Sequence, residues 1–184
     1  ARNILTARFL QRDEDYLLFV DADLEFEPEC VLKMLISQKD IICTPYRVKT
    51  NDPAITKYTV SIEDPKNVKI FEGGLVEINN GPAGMMLIKR TVFEKMIKDY
   101  PDKEIKVNPN EGSFPKDMRI YNFWDCNFKD GTWKGEDIYF CDLAKKSGFK
   151  IYANIDSTLI HHGGYGYQGK YGDTFKPKSN GKTN

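Results

Sequence analysis

The chain has 184 residues, of which 40% are apolar, 12% aromatic and 29% charged, a composition that describes a soluble globular domain and argues against disorder. Its 27 Lys and Arg balance its 27 Asp and Glu, so charge gives no reason to expect a nucleic acid or an anionic membrane as partner. The apolar runs stay near five residues, far short of the roughly 18–20 of a spanning helix, so no membrane span is expected.

One domain over residues 1–184 is expected, at about 150 residues per domain. Ala1, Leu5 and Phe9 stand at i+4 spacing, which predicts a helix over residues 1–12 with one buried side. Tyr16–Val20 is an unbroken apolar run, read as a strand buried on both faces and central in its sheet. It runs into Asp21-Ala22-Asp23. Pro28 sits where a helix over residues 28–37 starts, with Val31, Leu32, Leu35 and Ile36 as its buried stripe. Ile41–Cys43 is a second buried strand. The helix–strand–helix–strand rhythm predicts an α/β domain with a parallel sheet. Residues 57–62, 68–71 and 75–78 read as short strands, Asn79-Asn80-Gly81-Pro82 as a turn and residues 85–88 as a further strand. Thr91 and Glu94 have the spacing of a capping box opening a helix whose buried face is Val92, Phe93, Met96 and Ile97. Residues 101–134, rich in Pro, Asn and Gly, form a functional loop or small insertion. Residues 136–147 read as a helix with Gly148 at its C-terminal cap, followed by strands over 149–155 and 158–161. From about Gly163 the composition turns to Gly, Tyr, Lys and Asn, and residues 165–184 are expected as a flexible tail. The four cysteines, Cys30, Cys43, Cys126 and Cys141, show no C-x-x-C spacing and read as free core thiols in a reducing, cytoplasmic setting.

Four features can carry chemistry. Asp21 and Asp23 follow a buried strand at its carboxyl end, where open α/β sheets bind ligands. Two carboxylates at i, i+2 suit a hard cation, Mn²⁺ or Mg²⁺, or form a plain turn and helix cap. Glu136 and Asp137 open a helix, where they satisfy the helix dipole or supply a general base beside an open loop. His161 and His162 are the only histidines; a pair between a strand and a Gly-rich segment suits a metal ligand or is a surface pair without a role. Residues 81–84 make a small-residue turn that lets backbone approach a ligand, or a simple hairpin. Trp124 and Trp133 suit stacking on a sugar face or packing in a core.

In order and spacing, ARNILTARFL, YLLFVDADLEFEP, NGPAGMMLIKRTVFEKM, GEDIYFCDLAKKSGFKIY and LIHHGG resemble the nucleotide-sugar-dependent glycosyltransferases of the GT-A fold, over most of residues 1–164. More narrowly the chain is similar to the capsid-decorating glycosyltransferases of large algal viruses. The resemblance implies a Rossmann-like, mixed but mainly parallel sheet with helices on both faces. It divides the chain into a donor and metal half over residues 1–45 and an acceptor and catalytic half over residues 46–164. Asp21-Ala22-Asp23 matches the family's DXD motif, with Asp23 on the metal and Asp21 near ribose and metal. His161 completes the metal site, with His162 as the alternative. Arg2 matches a position that touches the nucleotide, and Gly81 and Gly84 border the sugar pocket; residues 101–134 have no match in the family, and Trp133 is expected at the donor site only for its ring. Asp137, beside Glu136, matches the base of inverting members. The family's first strand and loop, which hold the nucleotide base ahead of the helix matched by residues 1–12, have no match in this sequence.

The expected reaction moves a sugar from a nucleoside diphosphate, UDP by preference, to a hydroxyl of a glycan or glycoprotein. Two other classes fit parts of the pattern. A carbohydrate-binding module without catalysis would account for a half-complete nucleotide pocket. A phosphotransferase with Asp21 as nucleophile would use the strand and D-x-D but leaves Glu136, Asp137 and the histidines without a role.

Overall fold

Ile41, Cys43, Met86 and Ile88 pack into one buried cluster, and the residues between and beside them, Ile42, Met85 and Leu87, pack into another. Successive strand residues point to opposite faces, so two apolar faces require cover on both sides. The structure, a computed structural model, describes residues 1–52, 54–106, 118–129 and 131–175. In chain order it forms α1 (Arg2–Leu10), β1 (Tyr16–Val20), β2 (Leu24–Phe26), α2 (Glu29–Ile36), β3 (Ile41–Cys43), β4 (Ile70–Phe71), β5 (Leu75–Ile78) and β6 (Met85–Lys89). There follow α3 (Arg90–Asp99), β7 (Glu104–Ile105), β8 (Ile120–Tyr121), β9 (Asn127–Lys129), β10 (Thr132–Lys134), α4 (Glu136–Lys146), β11 (Ile151–Asn154), β12 (Thr158–His162) and β13 (Gly166–Lys170), with 3-10 turns at Pro101–Lys103 and Tyr171–Phe175.

The central sheet has six strands in the order β1-β6-β3-β11-β5-β4. Phe9 of α1, Val92, Phe93 and Met96 of α3, and Phe140 and Leu143 of α4 fill the core on one face. Cys30 and Met34 of α2 fill it on the other. The chain is therefore a mixed α/β structure with helices on both faces of its sheet. Among the described residues no helix is long and apolar enough to cross a membrane.

The sheet is not mainly parallel. Of its paired neighbours only β3 and β11 are parallel; β6 runs against both β1 and β3, and β5 against both β11 and β4. Apolar residues on both faces report that a strand is covered on both sides, and carry no information on its direction. Nor is Tyr16–Val20 central. It lies at the sheet edge with one pairing neighbour, and only Phe19 is buried, at 6% exposure, while Val20 is 43% exposed.

The buried stripe of α2 is Cys30 and Met34, flanked by half-buried Val31 and Leu35; Leu32 and Ile36 face outward. Of the expected stripe, Val31 and Leu35 do pack against the core while Leu32 and Ile36 do not, because the helix carries more apolar residues than its sheet contact covers. Thr91 and Glu94 form no capping box, because α3 continues directly from β6 and starts at Arg90, with Lys89 at its cap position and no side-chain cap bond. Between residues 57 and 62 the chain forms only two isolated bridges, Arg47 with Tyr58 and Ser61 with Asn80. Part of the expected flexible tail is a strand: β13 pairs with β12 along its whole length, and residues 176–184 lie outside the described residues. Cys30, Cys43 and Cys141 are buried free thiols as expected, but Cys126 is exposed. Gly148 has φ +90°, the left-handed conformation of a C-terminal cap. Residues 107–117 of the expected insertion lie outside the described residues.

Candidate functional site

The antiparallel pairing of β1 with β6 sets Val20 opposite Met85. One step further, the Asp21 N–H donates to the Gly84 carbonyl at 2.8 Å. The end of β1 is thus held against the start of β6, and the 81–84 turn lies beside Asp21. A Cβ on Gly84 would meet the Tyr46 hydroxyl and the Asp21 carboxylate, so glycine lets these two groups approach the backbone. A Cβ on Gly81 would instead meet Cys43 Sγ and Ile78, so that glycine serves core packing.

The helix α4 arrives at the same turn. The Ala83 N–H donates to Asp137 Oδ2 at 3.0 Å. Neither Glu136 nor Asp137 is used as a helix cap: the N-cap is Gly135, with no side-chain cap bond. Arg2, at the start of α1, closes the group. Its Nη2 donates to Asp21 Oδ1 at 2.8 Å and its Nη1 donates to Glu136 Oε1. Its guanidinium also lies over the Phe19 ring, 5.8 Å from the centroid. The Arg2, Asp21, Glu136 and Asp137 expected from the sequence therefore meet at one end of the sheet.

Burial raises the proton affinity of Asp137 above that of an ordinary Asp. The Ala83 N–H and the Arg2 charge oppose the rise, while Glu136 and Asp21 add to it. The helix-start position would by itself favour the ionised form; here desolvation outweighs it. Tyr46 is buried among the same acids. Burial and the charges of Asp21, Asp137 and Asp23 push its phenol well above the usual tyrosine value, which keeps its hydroxyl protonated and able to donate.

Asp23 and His161 meet through a second sheet, β13-β12-β2. His161 stands opposite Leu24 in the β12–β2 ladder, and the His162 N–H donates to the Asp23 carbonyl at 2.8 Å. This register brings His161 Nε2 to 3.4 Å from Asp23 Oδ2. The ring is fixed from behind: Nδ1 lies 2.8 Å from the Arg47 carbonyl, which can only accept, so Nδ1 carries the hydrogen. The Tyr46 ring packs edge-on against the imidazole at 4.8 Å. Lys49 Nζ sits 2.5 Å from Asp23 Oδ2, and its hydrogen bond is the main cause of a lowered Asp23 proton affinity. His162 points elsewhere and pairs with Glu25 at 2.7 Å on the surface.

Asp23 and His161 are residue types that could share a divalent cation. With Nδ1–H spent on a carbonyl, Nε2 is the ring nitrogen that faces Asp23 Oδ2, and a histidine anchored through its other nitrogen in this way is typical of metal-ligating histidines. Asp21, the third expected ligand, is paired with Arg2, and among the described residues no three His, Cys, Asp or Glu side chains group as a metal centre. Two protein ligands match a Mg²⁺-like ion that takes its remaining oxygens from phosphate and water.

The two tryptophans part company. Trp124 is core: it stacks on Phe140 at 4.1 Å, and its indole N–H donates to Thr6. Trp133 is 65% exposed on the β9–β10 hairpin, opposite exposed Phe128, two residues ahead of Gly135 and α4. Tyr46 and Lys49 were not expected from the sequence. Their signal was their place just past β3, which runs parallel to β1 and ends at the same side of the sheet, where ligands gather.

No family model matches this chain. No curated protein matches it. Among solved structures it is similar to the crystal structure of A197 from STIV, with 25% sequence identity and a TM-score of 0.49. That match covers 88% of this chain but spans only 65% of the length of A197.

Proposed function

We propose that this chain is a GT-A-type glycosyltransferase that moves a sugar from a nucleoside diphosphate, UDP by preference, to a hydroxyl of a glycan or glycoprotein, with inversion. The observation that carries the reading is Asp137, a carboxylate of raised proton affinity held at one sheet end together with Arg2 and Asp21. A general base works best when its proton affinity approaches the working pH, and burial moves Asp137 in that direction. Its Oδ2 is engaged by the Ala83 N–H, which leaves Oδ1 to take the acceptor's proton as the hydroxyl attacks. Glu136, tied to Arg2, keeps a second negative charge beside it.

Asp23 and His161 are the residues that would hold Mn²⁺ or Mg²⁺, and a bound cation would supply Lewis-acid stabilisation of the diphosphate leaving group. Arg2 holds Asp21 in place and presents a guanidinium to the nucleotide side. The protonated Tyr46 hydroxyl, beside Gly84 and Asp21, is a donor for a ribose or phosphate oxygen. Trp133 offers an open ring to a sugar face. Buried free Cys30, Cys43 and Cys141 fit a reducing, cytoplasmic setting.

The test is to supply the chain with a panel of nucleotide sugars, Mn²⁺ and simple glycan acceptors, and to follow released nucleoside diphosphate together with the melting temperature. UDP with Mn²⁺ should raise the melting temperature by mass action, and at least one donor should be consumed. If no donor binds or turns over while glycans alone stabilise the chain, it is a carbohydrate-binding module.

A further inference from the structure

Lys49 comes from residues 46–50, a strap laid across the β12–β13 ladder. The strap is fastened on both sides of Lys49. Ahead of it, the Arg47 carbonyl accepts from His161, and Arg47 Nη1 donates to the Gln168 carbonyl at 3.4 Å. Beyond it, the Thr50 carbonyl accepts from the Tyr167 hydroxyl at 2.5 Å. The aliphatic stem of Lys49 runs over Gly163, where a Cβ would crowd its Cδ and Cε. The ammonium ends on Asp23 Oδ2, the oxygen that faces His161 Nε2.

We propose that Lys49 is a tethered counter-ion of Asp23 that a divalent cation must displace before it can bind. The proposal rests on the reading of Asp23 and His161 as the cation's ligands. Two facts lead to it. A divalent cation sits about 2.0–2.6 Å from a carboxylate oxygen, and Lys49 Nζ already stands 2.5 Å from Asp23 Oδ2. The ammonium thus already occupies the Asp23 oxygen nearest His161, and a cation on that carboxylate would meet a like charge at close range. The ammonium is also a compact point charge, the side chain that best imitates a small cation.

The exchange needs no backbone movement. Lys49 is 38% exposed, and the strap's other fastenings do not pass through its side chain. Rotation about the stem moves the ammonium out while Tyr46 and the Arg47 carbonyl keep His161 in place. The displaced ammonium stays next to the cation's outer side, where it can pair with an anion that the cation carries. In the absence of cation, Lys49 balances the charge of Asp23 and keeps the Asp23–His161 pair together without a metal.

Mn²⁺ binding to the full chain, measured by the electron-spin resonance of free Mn²⁺, tests this without any turnover. Lys49→Met keeps the stem and removes the charge. It should bind Mn²⁺ about 3- to 10-fold tighter than the native chain, the scale of one exposed ion pair plus the repulsion it leaves behind. Lys49→Arg, which keeps a cation on the strap, should show no such gain. Asp23→Asn should lose Mn²⁺ binding in either background. Equal or weaker binding by Lys49→Met, with Asp23-dependent binding by the native chain, overturns the exchange and leaves the cation site standing. No Mn²⁺ binding by either protein overturns both.

Discussion

The backbone N–H of Ala83 meets the carboxylate of Asp137 at 3.0 Å across 54 residues of sequence. Asp137 is held by this bond in a site whose burial disfavours its charge. Because its proton affinity is raised on folding, the folded state holds more protons than the unfolded one in the window above the ordinary value of 3.8. Stability therefore falls as pH rises through that window, and the loss is complete above it. Asp137→Asn keeps an oxygen for the Ala83 N–H and removes the charge. Its melting temperature should exceed that of the native chain at pH 7, by about 2–4 °C for each kcal/mol relieved, with the gain gone near pH 3. On the transferase reading, turnover should drop by about 10²–10⁴. Identical melting at pH 7, read by circular dichroism, would contradict the desolvation argument.

Arg2 bridges Asp21 and Glu136. Arg2→Met should cost about 1–3 kcal/mol in urea denaturation, the range of lost hydrogen bonds to charged groups, towards the lower end because both carboxylates are partly exposed. Arg2→Lys should recover part of this, since one ammonium cannot span two carboxylates as a fork does. Removing the Arg2 charge also raises the proton affinity of Asp137 further, so the acid limb of any activity should move to higher pH in Arg2→Met.

How much of this was legible in the sequence depends on what each signal encodes. Helix positions came from apolar spacing, and α1, α3 and α4 lie where the pattern put them. Strand direction has no such signal, so β6 was not recognised as the antiparallel strand that separates β1 from β3. Asp21, Asp23, Asp137 and His161 stood out because their motifs lie at expected element ends, whereas Arg2 came only from the family resemblance; the structure brings Arg2, Asp21 and Asp137 together at one sheet end and Asp23 next to His161. Lys49 and Tyr46 did not stand out, because their role depends on a strap crossing β12 and β13, a contact between segments over a hundred residues apart in sequence. The Asp21–Arg2 pairing was likewise hidden, since nothing local distinguishes a carboxylate bound to an arginine from one bound to a metal.

The two tryptophans should separate cleanly. Trp124→Ala removes a ring stacked on Phe140 and a donor to Thr6, and should cost about 3–5 kcal/mol. Trp133→Ala touches an exposed hairpin and should change stability by no more than about 0.5 kcal/mol. On the transferase reading it should weaken sugar binding while leaving Mn²⁺ binding as it was. Chemical denaturation of both variants alongside calorimetric titration checks the split.

Gly81→Ala and Gly84→Ala should both destabilise, by about 1–3 kcal/mol as overpacked positions do, but for different reasons. The first presses on Cys43 and Ile78 in the core; the second presses on Asp21 and the Tyr46 hydroxyl. Nucleotide binding should therefore fall more in Gly84→Ala than its loss of stability explains, and in Gly81→Ala only in proportion. A thermal-shift series with UDP, referenced to each variant's own melting point, distinguishes them.

The strand order has a consequence for how the molecule comes into being. β11 lies between β3 and β5 and so joins the β1-β6-β3 group to the β5-β4 hairpin. Yet Ile151–Asn154 is the last strand of the sheet to leave the ribosome. Without it the edges of β3 and β5 have no partner on that side, and unpaired strand edges invite pairing with other chains. Closure of the six-stranded sheet therefore waits on the strand nearest the C-terminus among its members.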